Sequence, residues 1–371
     1  MKNILIFINV ILLNIIIVNT SFQTSIFSET NLDNSGKNIL ISPLSIYQVL
    51  GLTTNGADGT TQKEMLSTIQ AESLSELNSV NLQLIETIKK FTTVELANGV
   101  MTIFDPIKSF LKICDKYEAP VEKLVSLEQV NEWCDKKTHG KITKILDELD
   151  PATVMLLLNA VYFRGDWKFP FNPDKTYSGY FSSPKAKEKK VQMMTQVHQF
   201  NYYIDKNNEA IELPYKNDSM SALIILPYEG VDIDTVVNSL KTNENYIKQI
   251  LDNMTPTVVQ LNFPKFEVEF KSKLKDVLKR LGMKKAFEPD ADFSGINGLG
   301  GLYVNNVIHK TYLKVDEFGS EAAAVTVVEI LRSAHIPEAI MDVNRPFVLI
   351  LRSKLLPKNN DFLFVGKVES I

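Results

Sequence analysis

The run VMLLLNAVYF at residues 154–163 is apolar except for Asn159. A run this short and continuous reads as a β-strand buried on both faces. A buried amide left without partners costs about 1–3 kcal/mol. The segment therefore predicts an interior strand, with Asn159 inside a polar cluster.

The rest of the chain fits a mixed α+β fold around a large sheet. The first third is mainly helical by pattern. SPLSIYQVLGLTTNGA opens on Ser42-Pro43, a helix start signal, and Ile46, Val49 and Leu50 share a face. TTQKEMLSTI and LNSVNLQLIETIKKF continue in that style, and SLEQVNEWCDKKTHGKITKIL predicts a helix ending near Gly140. Strands dominate later, in SALIILP and VVQLNFPKFEVEF, where Val259, Leu261 and Phe263 alternate. LKDVLKRLG is an amphipathic helix with Leu274, Val277, Leu278 and Leu281 on one stripe and Gly282 as its stop. FVLILRS and DFLFVGKV read as two apolar strands joined by LPKNN. Across 371 residues no repeat and no Pro/Gly/Ser-rich break appears, so one continuous domain is expected over 20–371.

The amino terminus differs in kind. Lys2 precedes an apolar run from Ile4 to Val18 interrupted by Asn9 and Asn14. It is short for a membrane span and suits a secretory signal over residues 1–19. A secreted, extracellular protein is expected. Asn19, Asn217 and Asn253 each begin an Asn-x-Ser/Thr triplet and are candidate glycosylation sites. Cys114 and Cys134 lie in helical segments, and either a bridge or two free thiols would suit them.

Charge and chemistry narrow the function. The formal net charge is −4 and the lysines form no stripe, so neither nucleic acid nor a membrane surface is an expected partner. The four histidines, His139, His198, His309 and His335, form no two-His helical pair, and neither cysteine has a partner at zinc spacing. No metal or other cofactor is expected. GINGLGG at 295–301 lacks a following helix start and reads as a turn. Without a Gly-x-Ser-x-Gly elbow or triad spacing, a Ser/His hydrolase has little support.

GSEAAAVTVVEILRS at 319–333 changes character midway. Its alanines suit a helix; its Val-Thr-Val-Val run suits a strand. Read with period two, one face carries Ser320, Ala322, Ala324, Thr326, Val328 and Ile330, uncharged throughout. Both glutamates fall on the other. Gly319 precedes the segment at a hinge-like position. A constitutive strand and a strand able to slide between two others both fit this pattern.

The chain resembles the serpin family of serine-protease inhibitors. NILISPLSI, VNEWCDKKTHGKI, LLNAVYFRGDWKFPF, VQMMTQ, ELPY, ADFSGI, NNVIHK, VDEFGSEAAAVT, NRPFVLIL and FLFVGKV follow in family order from about Asn38 onward. The resemblance implies three β-sheets, eight or nine helices and an exposed reactive-centre loop at about 317–340. Ser42, Ser45, Asn159 and His309 resemble the polar cluster where the main sheet parts. Trp167, Lys265 and Glu317 resemble the residues at the top of that sheet, with an ion pair expected between Lys265 and Glu317. Glu317, Gly319, Ser320, Glu321, Ala322, Ala323 and Ala324 match the hinge of inhibitory members, with Phe318 as a departure where a charged residue is usual.

The resemblance further implies a suicide inhibitor that traps a protease as an acyl-enzyme, after which its loop enters the main sheet. The reactive bond is assigned to Arg332-Ser333, which suits a trypsin-like target; the family count from Glu317 favours Ser333 as the bait residue, and Leu331 is third. The expected partner is a serine protease in a covalent complex, or a cysteine protease, with the inhibitor a monomer. LNSVNLQLIETIKKF holds only Lys89 and Lys90 where a basic helix is frequent, so heparin activation is not supported. The alternative on the same fold is a non-inhibitory binding protein or chaperone.

Overall fold

The computed structural model describes residues 21–91, 94–184, 186–216, 218–320, 336–357 and 361–371. Its helices are α1 (Phe22–Leu32), α2 (Pro43–Thr54), α3 (Gly59–Thr68), α4 (Leu74–Ile88), α5 (Lys108–Lys116), α6 (Leu127–Lys137), α7 (Asp234–Thr242), α8 (Tyr246–Asp252), α9 (Lys275–Arg280) and the single turn α10 (Ser294–Asn297). The strands are β1 (Ile39–Ile41), β2 (Val94–Thr102), β3 (Val121–Lys123), β4 (Met155–Phe163), β5 (Gly165–Asp166), β6 (Tyr177–Ser183), β7 (Ala186–Ile204), β8 (Asn208–Pro214), β9 (Met220–Pro227), β10 (Thr255–Pro264), β11 (Phe266–Lys273), β12 (Ile308–Asp316), β13 (Gly319–Ser320), β14 (Ala339–Asp342), β15 (Phe347–Ser353) and β16 (Phe362–Val368).

Local chemistry explains the main boundaries. Ser42 caps α2 by accepting a hydrogen bond from Ser45 N, and Pro43 takes the first turn, where its missing N–H is no loss. Helix α6 starts on the Ser126 cap and ends before Gly140, whose φ of 80° lets its N–H return to Asp135 O. The stripe of α9 buries Leu274, Val277 and Leu278. Pro264 and Lys265 divide VVQLNFPKFEVEF into β10 and β11, which belong to different sheets.

Three sheets result. The nine-stranded sheet runs β1-β16-β15-β9-β8-β7-β10-β14, with β6 also paired to β7. A four-stranded sheet runs β11-β12-β13-β5, and a three-stranded sheet runs β3-β2-β4. The predicted interior strand is β4. Val161 and Phe163 enter the main core, whereas Leu158 and Ala160 join a second core with Val130, Trp133 and Cys134 of α6. Helix α2 packs against β4 and β16, so the strand has a covered layer on each side.

Strand β2 has no clear sequence signature. Asn98-Gly99 at its middle reads as a turn, yet Gly99 is there because Trp133 lies against it: a Cβ at 99 would sit 2.8 Å from the indole. Cys114 and Cys134 are both buried free thiols, each in a different core. Burial pushes both up to about 12, so neither is a reactive thiolate. Among the described residues no helix is long and apolar enough to cross a membrane, and no acid, His or Cys cluster could hold a metal.

Candidate functional site

The site is a seam. Strand β12 runs beside β4, but no ladder joins them among the described residues. Their directions follow from β13. That strand is antiparallel to β12, with Val315 opposite Ser320, and antiparallel to β5, with Gly165 opposite Ser320. Strand β5 continues β4 after Arg164. So β4 and β12 point the same way, and β13 already lies between their upper ends. A Cβ at Gly319 would sit 1.9 Å from Gly165 O, and its φ is 155°, so only glycine suits this entry.

Below the seam lies the polar cluster. His309 Nε2 accepts a hydrogen bond from Ser42 N at 3.0 Å, and Thr311 Oγ1 donates to Leu40 O at 2.6 Å. The imidazole is buried, and desolvation alone pushes it down to about 3. It is therefore neutral at physiological pH. Asn159 and His309 share no hydrogen bond among the described residues. Its Nδ2 donates to Asn98 Oδ1 at 2.8 Å, and Asn98 Nδ2 reaches Gln48 Oε1 at 3.4 Å. The predicted foursome thus falls into two halves, Ser42–Ser45–His309 and Asn159–Asn98–Gln48. Helix α2 carries Ser45 and Gln48 one turn apart and spans both. Asn159 Oδ1, Ser45 Oγ and Gln48 Nε2 are buried without a hydrogen-bond partner among the described residues.

At the top, Lys265 Nζ lies 2.8 Å from Glu317 Oε2, and Thr176 Oγ1 donates to Glu317 Oε1 at 2.8 Å. Burial would raise the Glu317 carboxyl, but the Lys265 and Thr176 hydrogen bonds outweigh it and hold the group below its ordinary range. Trp167 Nε1 donates to Asp316 O at 3.1 Å, and Trp167 N donates to Phe318 O at 2.8 Å. The indole stacks on Tyr215, with ring centroids 4.5 Å apart. Tyr215 Oη and Ser320 Oγ share a 2.8 Å hydrogen bond in a fully buried setting.

Trp167, Lys265, Glu317, Gly319 and Ser320 are therefore brought together at one end of the seam. Glu321, Ala322, Ala323, Ala324, Arg332 and Ser333 lie outside the described residues, as do Asn19, Asn217 and the amino-terminal segment. Asn253 is exposed at the end of α8, where its side chain donates to Gln249 O. Sequence reasoning missed Tyr215, Thr176, Asn98 and Gln48. Only Tyr215 had a signal, as the last residue of ELPY.

Residues 18–371 match the family described as Serpin (serine protease inhibitor). Intracellular coagulation inhibitor 2 of Tachypleus tridentatus is 33% identical over 359 residues, covering 91% of this chain and 87% of that one. Neuroserpin of Homo sapiens is 30% identical over 374 residues, covering 93% and 89%. The thermophilic serpin tengpin in its native state superposes with a TM-score of 0.85 at 32% identity, over 95% of this chain and 92% of that one. Human thyroxine-binding globulin superposes with a TM-score of 0.86 at 27% identity, over 95% and 97%. With three sheets in this arrangement and a family match over nearly its whole length, the chain belongs to the serpins.

Proposed function

We propose that this serpin is a secreted, single-use inhibitor of serine proteases, with a trypsin-like enzyme as target and Arg332-Ser333 as the reactive bond. The observation that carries the reading is the register of β13. Extended by the same pairing, each later residue finds a partner on both walls of the seam. Ala322 would oppose Leu313 and Phe163, Ala324 would oppose Thr311 and Val161, and Thr326 would oppose His309 and Asn159. Leu313, Thr311, His309, Phe163, Val161 and Asn159 are all buried. The uncharged face of the segment thus meets the buried face of the seam, with small side chains where Phe163 and Leu313 are largest. Thr326 would bring a hydroxyl beside Asn159 Oδ1, which has no hydrogen-bond partner among the described residues.

The mechanism follows. The target's serine attacks the bait carbonyl and forms an acyl-enzyme. Cleavage frees the segment after Ser320. It enters between β4 and β12, antiparallel to both, and its N–H and C=O groups pair with the two strands along the seam. The acylated protease is carried along before water can release it. The chain's residues guide entry and perform no catalysis.

Secretion rests on the amino-terminal apolar run, and glycosylation on the exposed Asn253 triplet. The direct test is incubation with a panel of serine and cysteine proteases. The inhibitor reading expects a covalent complex stable to boiling in detergent, with a new amino terminus at Ser333. Clean cleavage by every protease, with no complex, would reject it. A binding-protein reading is favoured by one observation, the likeness to a globulin named for binding thyroxine. It predicts no trapping and no large gain in heat stability on loop cleavage.

A further inference from the structure

The turn after β6, the residues between β9 and α7, the link from β14 to β15 and the residue that follows β16 form a cleft of about 420 Å³. Pro184, Pro227, Val231 and Pro346 supply its apolar wall. None of its lining residues belongs to the seam. The volume falls within the range of small-molecule sites, about 300–1,000 Å³. Such sites combine an apolar wall with a few polar groups that fix orientation. Here the polar group at the floor is a carboxylate.

Glu369 lines the cleft yet is only 1% exposed. Ser183 Oγ donates to its Oε1 at 3.3 Å. Its Oε2 has no hydrogen-bond partner among the described residues; Lys367 Nζ stands 3.6 Å away, an ion pair too long for a hydrogen bond. That lysine is fully buried and is shared with Asp234, whose Oδ1 lies 3.4 Å from Nζ. Arg345 is committed as well. Its Nε donates to Pro227 O at 2.7 Å, its Nη1 donates to Asp342 O at 3.2 Å, and its Nη2 lies 3.5 Å from Glu209 Oε1. Glu229 and Asp232 stand exposed on the rim. Among the described residues, the charged side chains that line the cleft, or join these through ion pairs, are five carboxylates and two cations. Glu209, Glu229, Asp232, Asp234 and Glu369 stand against Arg345 and Lys367, a formal balance of −3.

We propose that this cleft binds a small organic cation, a primary ammonium carried on a compact apolar body. An anion meets repulsion at both rim and floor. A neutral apolar ligand buries the carboxylate further and still leaves Oε2 without a donor, which is unfavourable. An ammonium brings a full charge and three N–H donors. One of them makes a charge-assisted hydrogen bond to Oε2, while the proline wall takes the apolar body. A quaternary ammonium carries the same charge without an N–H and gains less. The site does not depend on the inhibitor reading, because the seam contributes nothing to it.

The test is titration calorimetry of the uncut protein with phenethylamine and hexylamine. The N,N,N-trimethyl derivative of phenethylamine and 3-phenylpropanoate serve as comparators. At least one primary amine should bind at one site per chain, at least tenfold more tightly than the trimethyl compound, and the carboxylate should not bind. Glu369→Gln should weaken the amine at least tenfold, because it removes the charge at the floor. Should that variant fail to fold, Val231→Trp decides, since an indole on the half-buried wall fills the cleft and should abolish binding. A wild-type chain that binds neither amine overturns the proposal. So does a trimethyl compound or a carboxylate that binds as tightly as the amine, or amine affinity kept within threefold in Glu369→Gln or Val231→Trp.

Discussion

His309 offers a prediction whose size and sign both follow from the structure. Its ring is neutral in the fold, with a pKa pushed down to about 3, against an ordinary value of 6.5 in the unfolded chain. Above pH 6.5 the ring is neutral in both states and contributes no pH dependence. Below 6.5 the unfolded chain takes up a proton that the fold refuses, so stability falls as pH falls. The slope approaches about 1.4 kcal/mol per pH unit and ends near pH 3. Between pH 7.5 and 5.0 the loss is about 2 kcal/mol. The assay is urea unfolding of the uncut protein at both pH values, for wild type and His309→Gln. The glutamine keeps an acceptor for Ser42 N and removes the titration. Wild type should lose about 2 kcal/mol more than the variant over this interval. Equal losses would refute the reasoning.

Three further outcomes bear on the seam. Ser320→Arg forces a charge into a fully buried position against Tyr215, so the variant should be cleaved by target proteases and trap few or none, as seen by detergent gel. Lys265→Met leaves the buried Glu317 carboxylate without its cationic partner; because the lysine side chain is 37% exposed, the cost should be about 1–3 kcal/mol, read as a lower unfolding midpoint of the uncut form. Thr326→Val removes the hydroxyl that would meet Asn159, and should lessen the stability gained on loop cleavage by about 1–2 kcal/mol without changing the uncut form, measured by unfolding of both forms.

The legible and illegible parts of this protein divide along physical lines. VMLLLNAVYF announced β4 because burial on both faces leaves no alternation, and two cores do flank it. The need of Asn159 for partners was equally readable. The identity of its partner was not, because Asn98 sits in a strand whose Asn-Gly pair mimics a turn. That disguise arises from tertiary packing of Trp133 on Gly99, which no local window contains. His309 and Ser42 are 267 residues apart in sequence, so only family resemblance placed them together. At the top, Tyr215 went unnoticed because its role depends on stacking with Trp167 and bonding to Ser320, neither a periodic feature. The double character of GSEAAAVTVVEILRS was visible from period two alone. What pattern could not supply was the seam that Gly319 and Ser320 enter, since that depends on strands β4 and β12 lying side by side without a shared ladder among the described residues.

That seam can be interrogated by amide hydrogen exchange on the uncut and loop-cleaved protein, followed by peptide mass analysis of β4 and β12. If the freed segment enters between them, amides along 155–163 and 308–316 should become strongly protected after cleavage, with β7 and β15 unchanged as internal references. Equal exchange of β4 and β12 before and after cleavage would contradict insertion at this site.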